Sequence, residues 1–452
     1  MQKRNAISDI AKILVAVSSV YVSQAVLAEE SAKPSWNISG WINESMSFYD
    51  DGEGSDVVQL SDNGTTLGSR ITFSGSADLT TGLNAGFDVT IEPFSGTPNF
   101  TGNGNQITPL VFSNQDNLDS FNGGDIGLLG TSVYLGGDWG KVTVGLQSMP
   151  TDNIGVLGDP SMTIWSGVGA MFRGSGFFLR GAEGSGLLAG GGTWGSFIQC
   201  LTSNGLGIGI DCNGVYRNGV RYDLPAFGPV SVAVGYANDD IYDIAAKYSD
   251  KVGGLDVKFN IGYAYNADGG KNVAKNTVTT TTVTGVDTGM TAGGDPVLTD
   301  VTTSTTEEGD TDTKMLTMQL GVMDPESGLF GAFTWQHEEV DGDVLESAED
   351  ETDAYYTKLG IRKAFNSLGD TAFYVEYGLY KDQFGALGEA GVTGSEVTRT
   401  GMALEQYFGS KLFIYGKYEQ LDLDVDGDAT VEAIYDDIDE LNLFSLGVTY
   451  FF

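Results

Sequence analysis

Three features of this sequence predict an all-β fold, a transmembrane antiparallel β-barrel of 16 strands. Apolar residues recur at every second position along the whole chain, and short connections alternate with long ones. No apolar run reaches the roughly 20 residues that a membrane helix needs. The last segment shows the pattern best. Phe444, Leu446, Val448 and Tyr450 share one face of a strand, while Ser445, Gly447, Thr449 and Phe451 share the other. An apolar stripe ending in aromatics suits a strand whose outer face meets lipid.

The first element is a secretory signal over residues 1–28. Lys3, Arg4 and Lys12 form a basic start, 13–22 a mostly apolar core, and Val26, Leu27 and Ala28 a small-residue cleavage site before Glu29. Cleavage leaves 29–452 as a single barrel domain. An exported chain without a membrane helix can span a membrane only with strands. Backbone groups in lipid need internal partners, so those strands must close into a barrel.

Composition agrees with that fold. The chain has 65 Gly, 20 Tyr and 23 Phe against 10 Pro, and is too polar for a helical membrane protein. Its 23 Lys+Arg face 61 Asp+Glu, a formal charge of −38. Losing three basic residues and one acid with the signal makes it −40. Such a balance excludes nucleic acid as a partner and draws cations toward the protein. Solubility in salty surroundings accounts for it equally well.

The predicted strands follow in order. They are 36–48, 68–80, 84–94, 127–138, 141–147, 214–225, 230–237, 241–249, 255–265, 314–323, 329–337, 354–364, 371–380, 396–407, 411–421 and 441–452, with 241–249 the weakest. Alternation alone would also fit a soluble sandwich. Connection lengths decide: tight links at 81–82, 138–140, 227–229, 252–254, 325–328, 366–370 and 408–410 alternate with long polar loops. Short turns on one rim and long loops on the other are the outer-membrane arrangement. Sixteen strands leave a lumen wide enough for water.

The loops carry the acid, in 338–353 and 422–440, and the Thr-rich stretch 277–313 reads as a mobile, low-complexity loop. Cys200 and Cys212 bracket a Gly-rich segment, and in an exported protein such a pair predicts a disulfide. Their spacing rules out a CxxC redox pair, and a single histidine in the chain argues against a metal site.

Three passages carry a family resemblance. GSRITFSGSADLTTGL from Gly68 to Leu83 resembles the second strand and turn of the trimeric general porins of proteobacterial outer membranes. YLGGDWGKVTVGLQ from Tyr134 to Gln147 resembles the hairpin leading into that family's third loop. NGVRYDLPAFG from Asn218 to Gly228 resembles the strand and turn that follow it. With the terminal Phe452, the likeness spans the chain in order, although the long loops match nothing in the family.

The resemblance implies a homotrimer in the outer membrane, among outer-membrane lipid and lipopolysaccharide. It would pass ions and small hydrophilic solutes passively, with no covalent chemistry and no cofactor. It implies that loop 148–213 folds inward as a constriction, although an external loop covering the mouth would suit the residues too. The family sets loop acids, here Asp152, Asp159 and Glu183, against basic wall residues, here Arg70, Arg217 and Arg221. Arg70 shares parity with Thr72 and Ser74, which points it into the lumen. One departure is Leu146 after Gly145, where many relatives carry Arg; a second wall position looks apolar near Leu128. A thinner basic wall in an acidic protein predicts cation preference. Ile38, Ile42, Ile71 and Phe73 would form the apolar face between copies.

Two side readings remain. Asp422, Asp424, Asp426 and Asp428, with Gly427, match the start of an EF-hand loop, but position 12 is Ala433 instead of Glu. At most this predicts loosely bound divalent cations; an alternating strand running into an acidic loop explains the motif as well. A barrel hydrolase would need the lone His337, which parity with Phe333 and Trp335 places outside, and no serine motif accompanies it. A substrate-selective channel would need an aromatic track, for which only Tyr374 and Tyr415 point inward. Loops serving as an adhesin are a further alternative.

Overall fold

A computed structural model of the chain describes residues 34–452 apart from 53–54, 61–66, 80–81, 96–123, 168–173, 176, 178, 182–191, 201–206, 214–215, 239, 268–276, 291–295, 308–310, 343–348, 384–390 and 437. The signal segment and Glu183 therefore lie outside the described residues.

The first half of the barrel comprises β1 (Ser35–Asp50), β3 (Arg70–Asp78), β4 (Asn84–Ser95), β5 (Gly124–Gly137), β6 (Gly140–Ser148), β7 (Tyr216–Asp223), β8 (Val230–Ala237) and β9 (Ile241–Val252). The second half comprises β10 (Leu255–Asn266), β13 (Thr311–Met323), β14 (Leu329–Gly342), β15 (Glu351–Asn366), β16 (Gly369–Lys381), β17 (Val392–Phe408), β18 (Leu412–Gly427) and β19 (Leu441–Phe451). Each pairs antiparallel with its neighbour, and β1 closes the ring by pairing with both β19 and β3. The 16-strand antiparallel barrel is thus present, with every predicted strand in its place.

The structure adds three strands. β2 (Ser55–Leu60) pairs with the far end of β1, above β3. The Thr-rich stretch, expected as a mobile, low-complexity loop, forms β11 (Thr277–Met290) and β12 (Pro296–Glu307), a hairpin outside the barrel sheet. Thr and Val are β-branched and suit an extended chain, which accounts for the difference.

The barrel is apolar outside and polar inside. On β19, Leu446 is 49% exposed and Ser445 2%. The same inversion holds around the wall: Phe73, Val144, Phe333, Phe373 and Leu404 are exposed, while Thr90, Gln147, Gln319, Thr334 and Glu376 are buried. In water this would be unstable; against lipid it is what burial of backbone and polar groups requires. Tight turns need special backbone. Gly253 and Gly254, at φ 61° and 93°, make the two-residue link from β9 to β10. Among the described residues no helix is long and apolar enough to cross a membrane.

The packed core lies within the lumen. Trp165, Phe177 and Trp194 of the β6–β7 loop pack with Phe413, Tyr415, Leu421 and Leu443 of the wall.

Candidate functional site

The β6–β7 loop leaves the wall at Ser148, whose carbonyl accepts from Arg221 Nη1 at 3.2 Å. Asp223 holds the same guanidinium, at 3.0 Å from Nε and 2.7 Å from Nη2. The loop then follows the inner wall, meeting the strands in order. Thr151 donates its N–H and its hydroxyl to Asp243 of β9, both at 2.8 Å. The Gly155 carbonyl accepts from Gln319 of β13 at 2.6 Å and Thr334 of β14 at 2.9 Å. A Cβ at Gly155 would sit 2.2 Å from the Ile210 carbonyl oxygen, so this close pass requires glycine.

Charged side chains of the next strands grip the loop. Lys358 of β15 pairs with Asp159 at 2.6 Å and donates to the Thr163 hydroxyl at 2.7 Å. Arg362, also on β15, donates to the Ser161 carbonyl at 2.6 Å. Ser166 bonds to Glu405 of β17 and shares a 2.5 Å hydrogen bond with Tyr374 of β16. Arg399 of β17 donates to the Gly167 carbonyl at 3.0 Å. Its guanidinium also meets Glu376 at 2.7 Å and Glu419 at 3.0 Å, and Lys417 pairs with Glu376. Burial of so many ions is tolerable because most meet an opposite charge, while Glu405 accepts from the hydroxyls of Ser166 and Tyr407.

Further along, Arg180 pairs with Asp51 past the end of β1 at 2.9 Å. The returning limb carries the Cys200–Cys212 disulfide, and the Gly209 carbonyl there accepts from Gln336 of β14 at 2.7 Å. The loop thus folds into the lumen and is tied around it.

The sequence-derived residues divide unevenly. Arg70 is buried and inward as expected, but its partner at 3.0 Å is Glu92 on the adjacent wall strand, with Trp41 stacked beneath it. Asp152 is buried within the field of Arg70, Lys247 and Arg221. Asp159 is a buried loop acid, but it meets Lys358 and none of the three expected arginines. Arg217 is buried and donates to Asn213 at 3.4 Å. Arg70, Asp152 and Arg221 therefore share one region, while Asp159 belongs to another.

The thin basic wall is a correction. Leu128 is 45% exposed on the outer face, so it replaces no lumen residue. Lys358, Arg362, Arg399 and Lys417 supply inward basic groups that the sequence reading passed over. The signal was available, since each occupies an inward position by parity within a predicted strand.

The acidic motif takes another form than a binding loop. Asp422, Asp424 and Asp426 project from the outer face of β18, alternating with buried Leu421, Leu423 and Val425. Asp428 caps the helix α1 (Ala429–Tyr435), accepting from Thr430 N at 2.8 Å and Val431 N at 3.1 Å. Among the described residues, Cys200, Cys212 and Glu338 come close enough to hold a metal, but the disulfide consumes both thiolates.

His337 lies outside, stacked on Trp335 and 3.3 Å from Asp353. Tyr374 and Tyr415 point inward and are joined by buried Tyr356, Tyr380 and Tyr407.

A family model described as Gram-negative porin matches residues 13–426. Among solved structures, the chain is similar to an anion-selective porin from Comamonas acidovorans, at 14% identity and a TM-score of 0.54, over 93% of this chain and 100% of that one. It is also similar to a loop L8 deletion mutant of OmpT, an outer membrane protein of Vibrio cholerae, at 13% identity and a TM-score of 0.51, again over 93% and 100%. No curated protein sequence matches it significantly. Since the family match runs through nearly every barrel strand described above, the chain belongs to the Gram-negative porins, outer-membrane β-barrels that act as diffusion channels.

Proposed function

We propose that the protein is a cation-preferring general porin, passing ions and small hydrophilic solutes down their gradients without covalent chemistry. The observation that carries this reading is the loop tied into the lumen by Asp159–Lys358 and its neighbours, which narrows a polar passage rather than building a reactive centre. The formal charge of −38 supports the cation preference, because an acidic field enriches cations at the pore mouths. Divalent cations would act as loose counter-ions to outward carboxylates such as Asp422, Asp424 and Asp426.

A homotrimer among outer-membrane lipid and lipopolysaccharide is supported by the exposed apolar face of β1 and β3, where Ile38 and Phe73 pair in register. The inward tyrosines favour a second reading, a substrate-selective channel. Tyr374 and Tyr380 are buried beneath the loop, however, and present no open track.

The test is the reversal potential of the reconstituted protein under a salt gradient at low ionic strength, where screening is weakest. Cation preference with conductance steps in threes is the expected result. Neutral or anionic selectivity would overturn the charge assignment.

A further inference from the structure

Most lumen cations are neutralised at contact distance: Arg221 by Asp223, Lys358 by Asp159, Arg362 by Asp370. Two are not. Lys247 of β9 forms no ion pair or hydrogen bond among the described residues, although Asp152, Asp223 and Asp211 act on it from a distance. Lys258 of β10 has one polar neighbour, the uncharged sulfur of Met162, at 3.7 Å.

Both face the lumen. Lys247 shares parity with Asp243, which holds Thr151 of the loop, while Ile244 between them is exposed on the outside. Lys258 shares parity with Asn260, whose amide reaches the Ile154 carbonyl at 3.4 Å. In the β9–β10 register Lys247 stands opposite Asn260 and Lys258 opposite Ser249, so the lysines are diagonal neighbours. Diagonal neighbours of this kind stand about 7–8 Å apart, with their Cβ atoms somewhat closer. Lysine stems are long and flexible enough for both ammonium groups to converge on one oxyanion, each donating a charge-assisted bond of about 2.8 Å.

We propose that Lys247 and Lys258 form a binding site in the lumen for small oxyanions carrying two negative charges, phosphates or dicarboxylates, and delay their passage. The proposal rests on the chain being a conducting channel. It is compatible with cation preference, because the field of the whole protein acts on monovalent ions over a Debye length of about 8–10 Å. The lysine pair acts only at contact.

The experiment is single-channel current in potassium chloride, with inorganic phosphate or succinate added to either side. Wild type should show concentration-dependent current interruptions. In the K247Q/K258Q variant the half-blocking concentration should rise at least about fivefold, as expected when two attractive charges leave a partly desolvated site. K247R/K258R should retain the block, which separates loss of charge from loss of fold. A response to phosphate but not succinate would confine the site to phosphates, and the reverse to dicarboxylates. Conductance with no block by either anion, or equal block in K247Q/K258Q, overturns the proposal alone. Absence of any conductance overturns it together with the channel reading.

Discussion

The ammonium of Lys358 and the carboxylate of Asp159 lie 2.6 Å apart, with side chains only 2% and 3% exposed, and they join β15 to the inward loop. Neither charge could stay there alone. Substituting Lys358→Ala leaves a buried carboxylate with the amide and hydroxyl of Ser161 and the more distant Thr163 hydroxyl as its donors. Breaking one side of such a pair costs about 3–5 kcal/mol. The expected result is a loop released from β15, read as noisier single-channel current and faster proteolysis within 148–213. The double variant K358M/D159L, which removes both charges, should recover most of the order; a double variant as noisy as the single one would contradict this.

Arg399 ties more of the site together, since it reaches Glu376, Glu419 and the Gly167 carbonyl at once. Arg399→Lys keeps the charge but loses the planar fork. It should lower the temperature at which the barrel unfolds in detergent and loosen the loop near Gly167. A melting temperature equal to wild type would mean that the two carboxylates find another counter-ion, with Lys417, already on Glu376, the nearest available.

How much of this was readable beforehand can be argued from single strands. The inversion of Leu446 and Ser445 follows from period two alone, and the other predicted strands were found the same way. The stretch 241–249 looked weakest because Asp243 and Lys247 interrupt its apolar character. Both prove to be lumen residues, where charge is at no disadvantage. Lys358 and Arg399 were passed over for a different reason. The passages that resemble known porin segments lie before β8, while Lys358 and Arg399 hold the loop from β15 and β17. Which loop carboxylate meets which base depends on a path around the wall that no local pattern encodes.

The Cys200–Cys212 bridge closes a sequence separation of 12 in the returning limb of the loop. A loop of about this length gains roughly 3 kcal/mol from a crosslink in the chain-entropy account. The double substitution C200S/C212S should leave the barrel folded, because the strands carry its ladder, yet loosen the segment that Gln336 anchors through Gly209. Hydrogen exchange of 207–213 should accelerate while β14 stays protected. Loss of the whole barrel in that variant would assign the bridge a role in assembly instead.

In the β18–β19 connection, Val431 N and Thr430 N donate to Asp428 and hold its carboxyl below the usual carboxylate range. A depressed folded value means that the stabilisation is present above the unfolded pKa of about 3.9 and lost as pH falls through the folded value. Helix α1 should therefore keep its cap at neutral pH and fray only in strong acid. Asp428→Ala should fray it at every pH and remove that acid step. Amide exchange over Ala429–Tyr435 at pH 7 and pH 3 measures both effects.

The membrane placement itself makes the sharpest prediction, because it reverses the sign expected for a soluble protein. Leu446 is 49% exposed on β19, flanked on the same face by exposed Phe444 and Val448. On a water-facing surface, Leu446→Arg would change stability by less than about 0.5 kcal/mol. On a lipid-facing barrel wall near the membrane midplane it should cost about 2–4 kcal/mol. Gly447→Ala on the opposite face fails for another reason, since its Cβ would collide with the Tyr415 ring inside the lumen. Ser445→Ala, also inward, removes only the hydroxyl bond to Ser47 and should be mild. Denaturant titration of folding into lipid vesicles should rank Leu446→Arg well below Ser445→Ala. If the two were equal, the outer face of β19 would not be in contact with lipid.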